Sequence, residues 1–141
     1  MVDKKVVLGR LEQIHQAIKQ IEQFGDLKER DFLKDRNVQD ICEYNLFIAI
    51  NSMIDIVNHI VADENLGELS FLSDGFVILG EKGVFPQEDV DNYKKMVGFR
   101  NLIAHEYAGI DKRKVFEIIR RDLPFIRKFI SVIRNYCCVD P

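Results

Sequence analysis

Along residues 3–24 apolar side chains recur at Val7, Leu11, Ile14, Ile18 and Ile21, in alternating steps of four and three. That spacing puts them in one stripe on a helix, with Lys, Glu and Gln opposite and Gly25 as a stop. Residues 26–35 are highly charged, with Leu27, Phe32 and Leu33 as their only large apolar side chains. They predict a short helix or turn that docks Phe32 and Leu33 on the core. From about Asn37 to Ala62 the pattern changes: Ile41, Leu46, Phe47, Ile50, Met53, Ile54, Val57 and Val61 cover more than one helical face. A helix apolar on several sides is buried on several sides. In so short a chain the extra face is more easily hidden against a second copy than within one core, which predicts a homodimer of C2 symmetry.

The remaining pattern is also helical. Residues 66–73 read as a loop, and Asp74 to Leu79 as a short helix closed by Gly80 and Gly83. Pro86-Gln87-Glu88-Asp89 reads as a helix start, with the proline in the first turn and acids placed to suit the macrodipole. Tyr93, Met96, Val97, Phe99 and Ile103 continue the apolar face. Gly109 follows, and Asp111 can cap a next helix holding Val115, Ile118 and Ile119. Pro124 predicts a kink or break near Leu123, before a last helix through Ile126, Phe129, Ile130 and Ile133 to Cys137. No strand pattern, repeat or low-complexity linker is present. The expectation is a single domain over residues 1–141 with an all-α bundle architecture.

Composition adds little to this until charge is followed along the chain. Residues 1–93 carry 9 Lys/Arg against 18 Asp/Glu, whereas residues 94–134 carry 11 against 4. The basic stretch is either a phosphate-facing surface or simply the partner of the acidic helices. The 3 cysteines, Cys42, Cys137 and Cys138, form no CxxC pattern, which points to a reducing compartment and away from a disulfide framework or a zinc site. The start of the chain has no signal-peptide pattern. The uncharged run from Tyr44 to Ile54 is far short of the ~20 residues a membrane span needs. A cytoplasmic setting is expected.

One stretch concentrates chemistry: Phe99-Arg100-Asn101-Leu102-Ile103-Ala104-His105-Glu106-Tyr107. Histidine can take or give a proton near neutral pH, and arginine is a permanent forked phosphate ligand. Together they suffice for RNA cleavage without a metal or other cofactor. The imidazole serves as general base or acid while a ribose 2′-hydroxyl attacks phosphorus, and the guanidinium stabilises the charge that builds on the phosphoryl oxygens. Arg100 and His105 lie about 140° apart on an ideal helix, so either the helix ends between them or a second subunit completes the site. Asn101 and His105 form an i, i+4 pair in which the amide can hydrogen-bond the imidazole and fix its tautomer. By chemistry alone, an Arg-Asn near a His can equally be a helix cap with a surface charge.

The order Arg100, four residues, His105, one residue, Tyr107 resembles the RX4HXY signature of HepT-like HEPN domain ribonucleases, and Asn101 also agrees. The resemblance implies a HEPN-type antiparallel helical bundle that dimerises around a composite cleft, with Arg100 and His105 as the catalytic pair. It implies a metal-independent endoribonuclease toxin whose partner is a minimal nucleotidyltransferase antitoxin. It further implies that the partner silences the ribonuclease by adenylylating Tyr107, whose ring could otherwise stack on a base. An alternative within the same superfamily is a non-catalytic module that holds a nucleotide or substrate for a nucleotidyltransferase. Such modules can dispense with the Arg/His pair that this chain retains.

Weaker candidates surround the motif. Asp55, Asn58 and His59 form a polar cluster on the long apolar helix; this is either a satisfied buried network or, for Asp55 and His59, support for the site. His15 reads as a rim residue. Lys112, Arg113 and Arg120 can guide an RNA backbone, and a solvated basic face fits them equally.

Overall fold

The computed structural model describes residues 1–106 and 109–139, with Glu106 through its backbone alone. Six helices carry the architecture: α1 (Lys4–Glu22), α2 (Glu29–Lys34), α3 (Arg36–Asp63), α4 (Asp74–Glu81), α5 (Gln87–Glu106) and α6 (Lys112–Cys137). Among the described residues there is no strand.

Local chemistry sets the helix ends. Asp3 caps α1, its Oδ1 accepting from the Lys5 and Val6 amides at 3.1 and 3.4 Å. Asp35 closes α2 and caps α3 by accepting from the Val38 amide, and Asp111 caps α6 through the Arg113 amide. At its far end α6 stops on Cys138, a non-glycine residue at φ 53°, whose amide returns to the Arg134 carbonyl.

Side-chain pairs between helices give their directions. Asp3 with Asp63, Arg10 with Asp55 and Gln13 with Ser52 run α1 antiparallel to α3. Lys112 with Glu43 and Tyr136 with Glu64 lay α6 parallel to α3. Lys128 with Asp89 sets the start of α5 beside the second half of α6, so these two are antiparallel. The result is an antiparallel bundle with α3 at its centre, touched by every other helix.

The predicted stripe on α1 is the buried one: Val7, Leu11, Ile14, Ile18 and Ile21 are each 3% exposed or less. Phe32 on α2 docks as expected, 5.4 Å from the Phe116 ring on α6. Most of α3 is covered within this one chain, by α1, α2, α4, α5 and α6, while Ile41 and Tyr44 on it stay exposed and Phe47 and Ile48 are half-buried. By length and composition α3 could cross a membrane, but here Leu46, Ala49, Ile50, Met53, Ile56, Val57 and Ile60 form the core. Pro124 does not break α6, which runs unbroken through it. The proline is exposed, so the Arg120 carbonyl that loses its partner faces water, while Ile118, Ile126, Phe129 and Ile133 bury one continuous face. Burial at ~1.5–3 kcal/mol per side chain outweighs the ~3 kcal/mol that a mid-helix proline costs.

α4 packs close against α3 because Gly75 has no side chain. A Cβ there would stand 2.6 Å from Val57 Cγ2 and 2.8 Å from Asn58 Oδ1. That approach places the 64–73 loop over the end of α3, next to the motif helix.

Candidate functional site

α5 is one unbroken helix from Gln87 to Glu106, so Arg100, Asn101 and His105 share a single rigid element. This removes the possibility that the helix ends between Arg100 and His105. Their side chains leave the axis about 140° apart, displaced by about 7.5 Å along it.

Arg100 turns inward across the bundle. Its Nε donates to Asn51 Oδ1 on α3 at 2.6 Å, and Nη1 donates to Asn101 Oδ1 at 3.0 Å. The guanidinium carbon sits 4.9 Å from the centre of the Phe47 ring. Phe47 and Asn51 are i, i+4 on α3, so ring and amide form one cradle. Among the described residues two of the five guanidinium N–H groups are engaged, and the others are available to an anion. The group is half-buried, which strengthens its field at a bound phosphate relative to open water.

His105 stands exposed in the last turn of α5. Among the described residues no hydrogen bond joins it to Asn101. The amide oxygen accepts from Arg100 instead, because a bond to a charged donor is roughly twice as strong as one to a neutral imidazole.

The other predicted residues fall into separate places. Asp55 pairs with Arg10 of α1 at 3.2 Å, which orients it towards α1 rather than towards Arg100. His59 is half-buried one turn further on and has no hydrogen bond to the motif among the described residues. Lys112 does not line a surface: its ammonium is bonded at 2.8 and 3.0 Å to both oxygens of Glu43, which is fully buried. Arg120 donates to the Leu27 carbonyl at 2.6 Å and lies over the Phe116 ring, so it holds the 23–28 turn against α6. Arg113 is exposed and, unlike Lys112 and Arg120, has no side-chain hydrogen bond among the described residues. Tyr107 lies outside the described residues.

Sequence reasoning missed Asn51, Phe47 and Glu43. A signal existed. Glu43, Phe47, Asn51 and Asp55 form an i, i+4 row on α3, and three of these interrupt an otherwise apolar helix with polar groups. Each meets a cation: Glu43 takes Lys112, Phe47 and Asn51 take Arg100, and Asp55 takes Arg10. Both amides that hold Arg100 also border hollows. Asn51 lines one of about 490 Å³ between α1 and α3, and Asn101 lines one of about 430 Å³ under the 64–73 loop.

The chain is similar to known proteins over most of its length. The chain matches the family model described as ribonuclease HepT-like over residues 14–133. It is 32% identical over 130 residues to a Shewanella oneidensis protein named mRNA nuclease HepT, covering 92% of this chain and 96% of that one. A solved structure described as a toxin–antitoxin with AMP-PNP superposes with a TM-score of 0.86 at 31% identity, over 93% of this chain and 98% of the other. The tri-AMPylated HEPN toxin of Shewanella oneidensis, solved in complex with an MNT antitoxin, superposes with a TM-score of 0.85 at 32% identity, over 96% and 99% of the two chains.

Proposed function

The chain belongs to the ribonuclease HepT-like family, and on that footing we propose that it is the endoribonuclease toxin of a toxin–antitoxin pair. The observation that carries the reading is the seating of Arg100: a guanidinium fixed by Asn51, Asn101 and Phe47, with N–H groups left for a phosphate and His105 exposed on the same helix.

Cleavage then follows from the two groups. A neutral imidazole of His105 takes the proton of a ribose 2′-hydroxyl, and the 2′-oxygen forms a bond to the adjacent phosphorus. The bond from phosphorus to the 5′-oxygen breaks, and that oxygen leaves with a proton from water. The products are a 2′,3′-cyclic phosphate and a 5′-hydroxyl. Arg100 stabilises the negative charge that grows on the non-bridging oxygens. Proton transfer and charge stabilisation are both supplied by side chains, so a metal is not required.

The active species is a homodimer. Arg100 and His105 diverge on one unbroken helix, which supports a site in which the Arg of one copy works with the His of another across a twofold axis. The leaving 5′-oxygen takes its proton from water, so each site needs one Arg and one His. The proposed regulator is a nucleotidyltransferase antitoxin that attaches adenylate to Tyr107, two residues beyond His105. The AMPylated state of the Shewanella relative supports that reading. Added phosphates would oppose RNA by charge and bulk.

The test is cleavage of synthetic RNA by purified protein in excess EDTA. Cyclic-phosphate ends are expected, with cleavage lost in Arg100→Ala and His105→Ala while the helical circular dichroism is retained. Activity that needs a divalent metal, or that survives His105→Ala, overturns the reading.

A further inference from the structure

Asn101 faces two ways: its Oδ1 accepts from Arg100, and the residue lines the hollow of about 430 Å³ between α3, the 64–73 loop and α5. Asn58, Ser70, Phe71, Leu72 and Ser73 contribute to the same walls. Among the described residues that line it none is charged. Phe71 is 76% exposed, the largest exposure of any aromatic ring with a described side chain.

That exposure does not come from a loose loop. The Asp74 carboxylate accepts from the Ser70 and Phe71 amides at 2.9 and 2.8 Å, and the Asp74 amide donates back to the Phe71 carbonyl at 3.1 Å. The turn therefore holds an aromatic ring in solvent at little remaining entropic cost for a ligand that stacks on it. Asn58 also lines the hollow, and its amide oxygen, buried against Gly75, has no hydrogen-bond partner among the described residues. Buried polar atoms are normally satisfied, and one left unpaired beside a cavity marks where a donor is wanted. The terminal torsion of an amide is broad, so this oxygen can turn toward the hollow.

We infer that this hollow is the subsite for the nucleobase beside the scissile phosphate, with Phe71 as its stacking face and the amides of Asn58 and Asn101 reading its edge. The inference rests on the ribonuclease reading, since it takes Arg100 as the phosphate ligand. A neutral, planar, donor-rich ring fits an uncharged hollow with one aromatic wall, two amides and two hydroxyls. Leu69 and Leu72 flank the ring and are also exposed, so a second protein surface is the competing occupant that the test below separates from a base.

The chain has 0 tryptophans, so Phe71→Trp places a sole fluorophore on the stacking face. A 2′-O-methyl oligonucleotide, which cannot undergo 2′-attack, is titrated against this variant beside an abasic backbone of equal length. Saturable quenching by the oligonucleotide and little by the abasic strand is expected. Equal response to both strands, or none, overturns the subsite. A spectral change that follows protein concentration without RNA also overturns it, since another protein chain then covers the ring. In parallel, Phe71→Ala should cleave with KM raised about tenfold, a flattened base preference and kcat retained. If wild-type protein cleaves and Phe71→Ala matches it, the subsite falls and the ribonuclease stands. If wild-type protein cleaves nothing while Phe71→Trp is quenched selectively, the hollow stands as a nucleobase site, and the ribonuclease reading falls together with the scissile phosphate beside it.

Discussion

Arg100 of α5 donates its Nε–H to Oδ1 of Asn51 on α3 at 2.6 Å, across 49 residues of sequence. This bond aims the guanidinium. With Asn51→Ala the arginine keeps its charge and loses its direction. A charge-assisted bond is worth ~1.5–3 kcal/mol, so kcat/KM on RNA should fall roughly 10–100-fold with little change in melting temperature. Arg100→Lys should fare worse than Asn51→Ala, since an ammonium cannot reproduce the fork.

Lys112 neutralises Glu43 at the foot of the same row on α3, where Glu43 is fully buried and Lys112 is largely so. Removing the cation strands a buried carboxylate. Lys112→Met should therefore destabilise the fold by about 3–5 kcal/mol in urea titrations, and adding Glu43→Gln should recover part of that loss. Unchanged stability in the single variant would show that the pair is open to water.

Burial raises the Asp122 carboxyl above its ordinary 3.8, an effect that the neighbouring Arg121 and Lys95 only partly offset. A carboxyl whose folded pKa lies above the unfolded one binds its proton more tightly when folded. Its contribution is thus most favourable at low pH and declines as pH rises from 3.8 through the folded value. Asp122→Asn should match wild type in acid and equal or exceed it at neutral pH, as read from urea midpoints. Asp74 has the opposite sign. Two backbone N–H bonds hold its carboxyl low, so its contribution is present above the ordinary value and fades on acidification.

All three thiols are free, but only Cys138 is exposed. Desolvation pushes Cys42 up to about 12 and Cys137 up to about 11, which suppresses the reactive thiolate of both at neutral pH. A chromogenic disulfide reagent should modify one thiol quickly in the native protein and three after denaturation. Two fast native thiols would mean that the end of α6 opens around Cys137.

The helices were legible because burial repeats with the helical period: the Val7–Ile21 stripe, the Phe32 dock and the Asp111 cap all follow from local spacing. The role of Pro124 was not, since its cost is outweighed by partners that α6 meets only in the bundle. The burial of α3 was legible, but not which helices cover which face, because hydrophobicity counts faces and does not name their neighbours. At the site, Arg100 and His105 stood out through chemistry and resemblance. Asn51 and Glu43 did not, because their partners lie 49 and 69 residues away. For the same reason Lys112 looked like a surface cation.

The central claim is that catalysis needs Arg100 from one copy and His105 from another. Arg100→Ala and His105→Ala proteins, each inactive alone, are mixed in equal amounts and allowed to exchange subunits. If the site is shared, half of the dimers are mixed and each holds one intact Arg/His pair, so RNA cleavage should return to about a quarter of the wild-type rate. If both groups act within a single copy, no mixed dimer holds an intact site. Continued inactivity of an exchanged mixture would contradict the account.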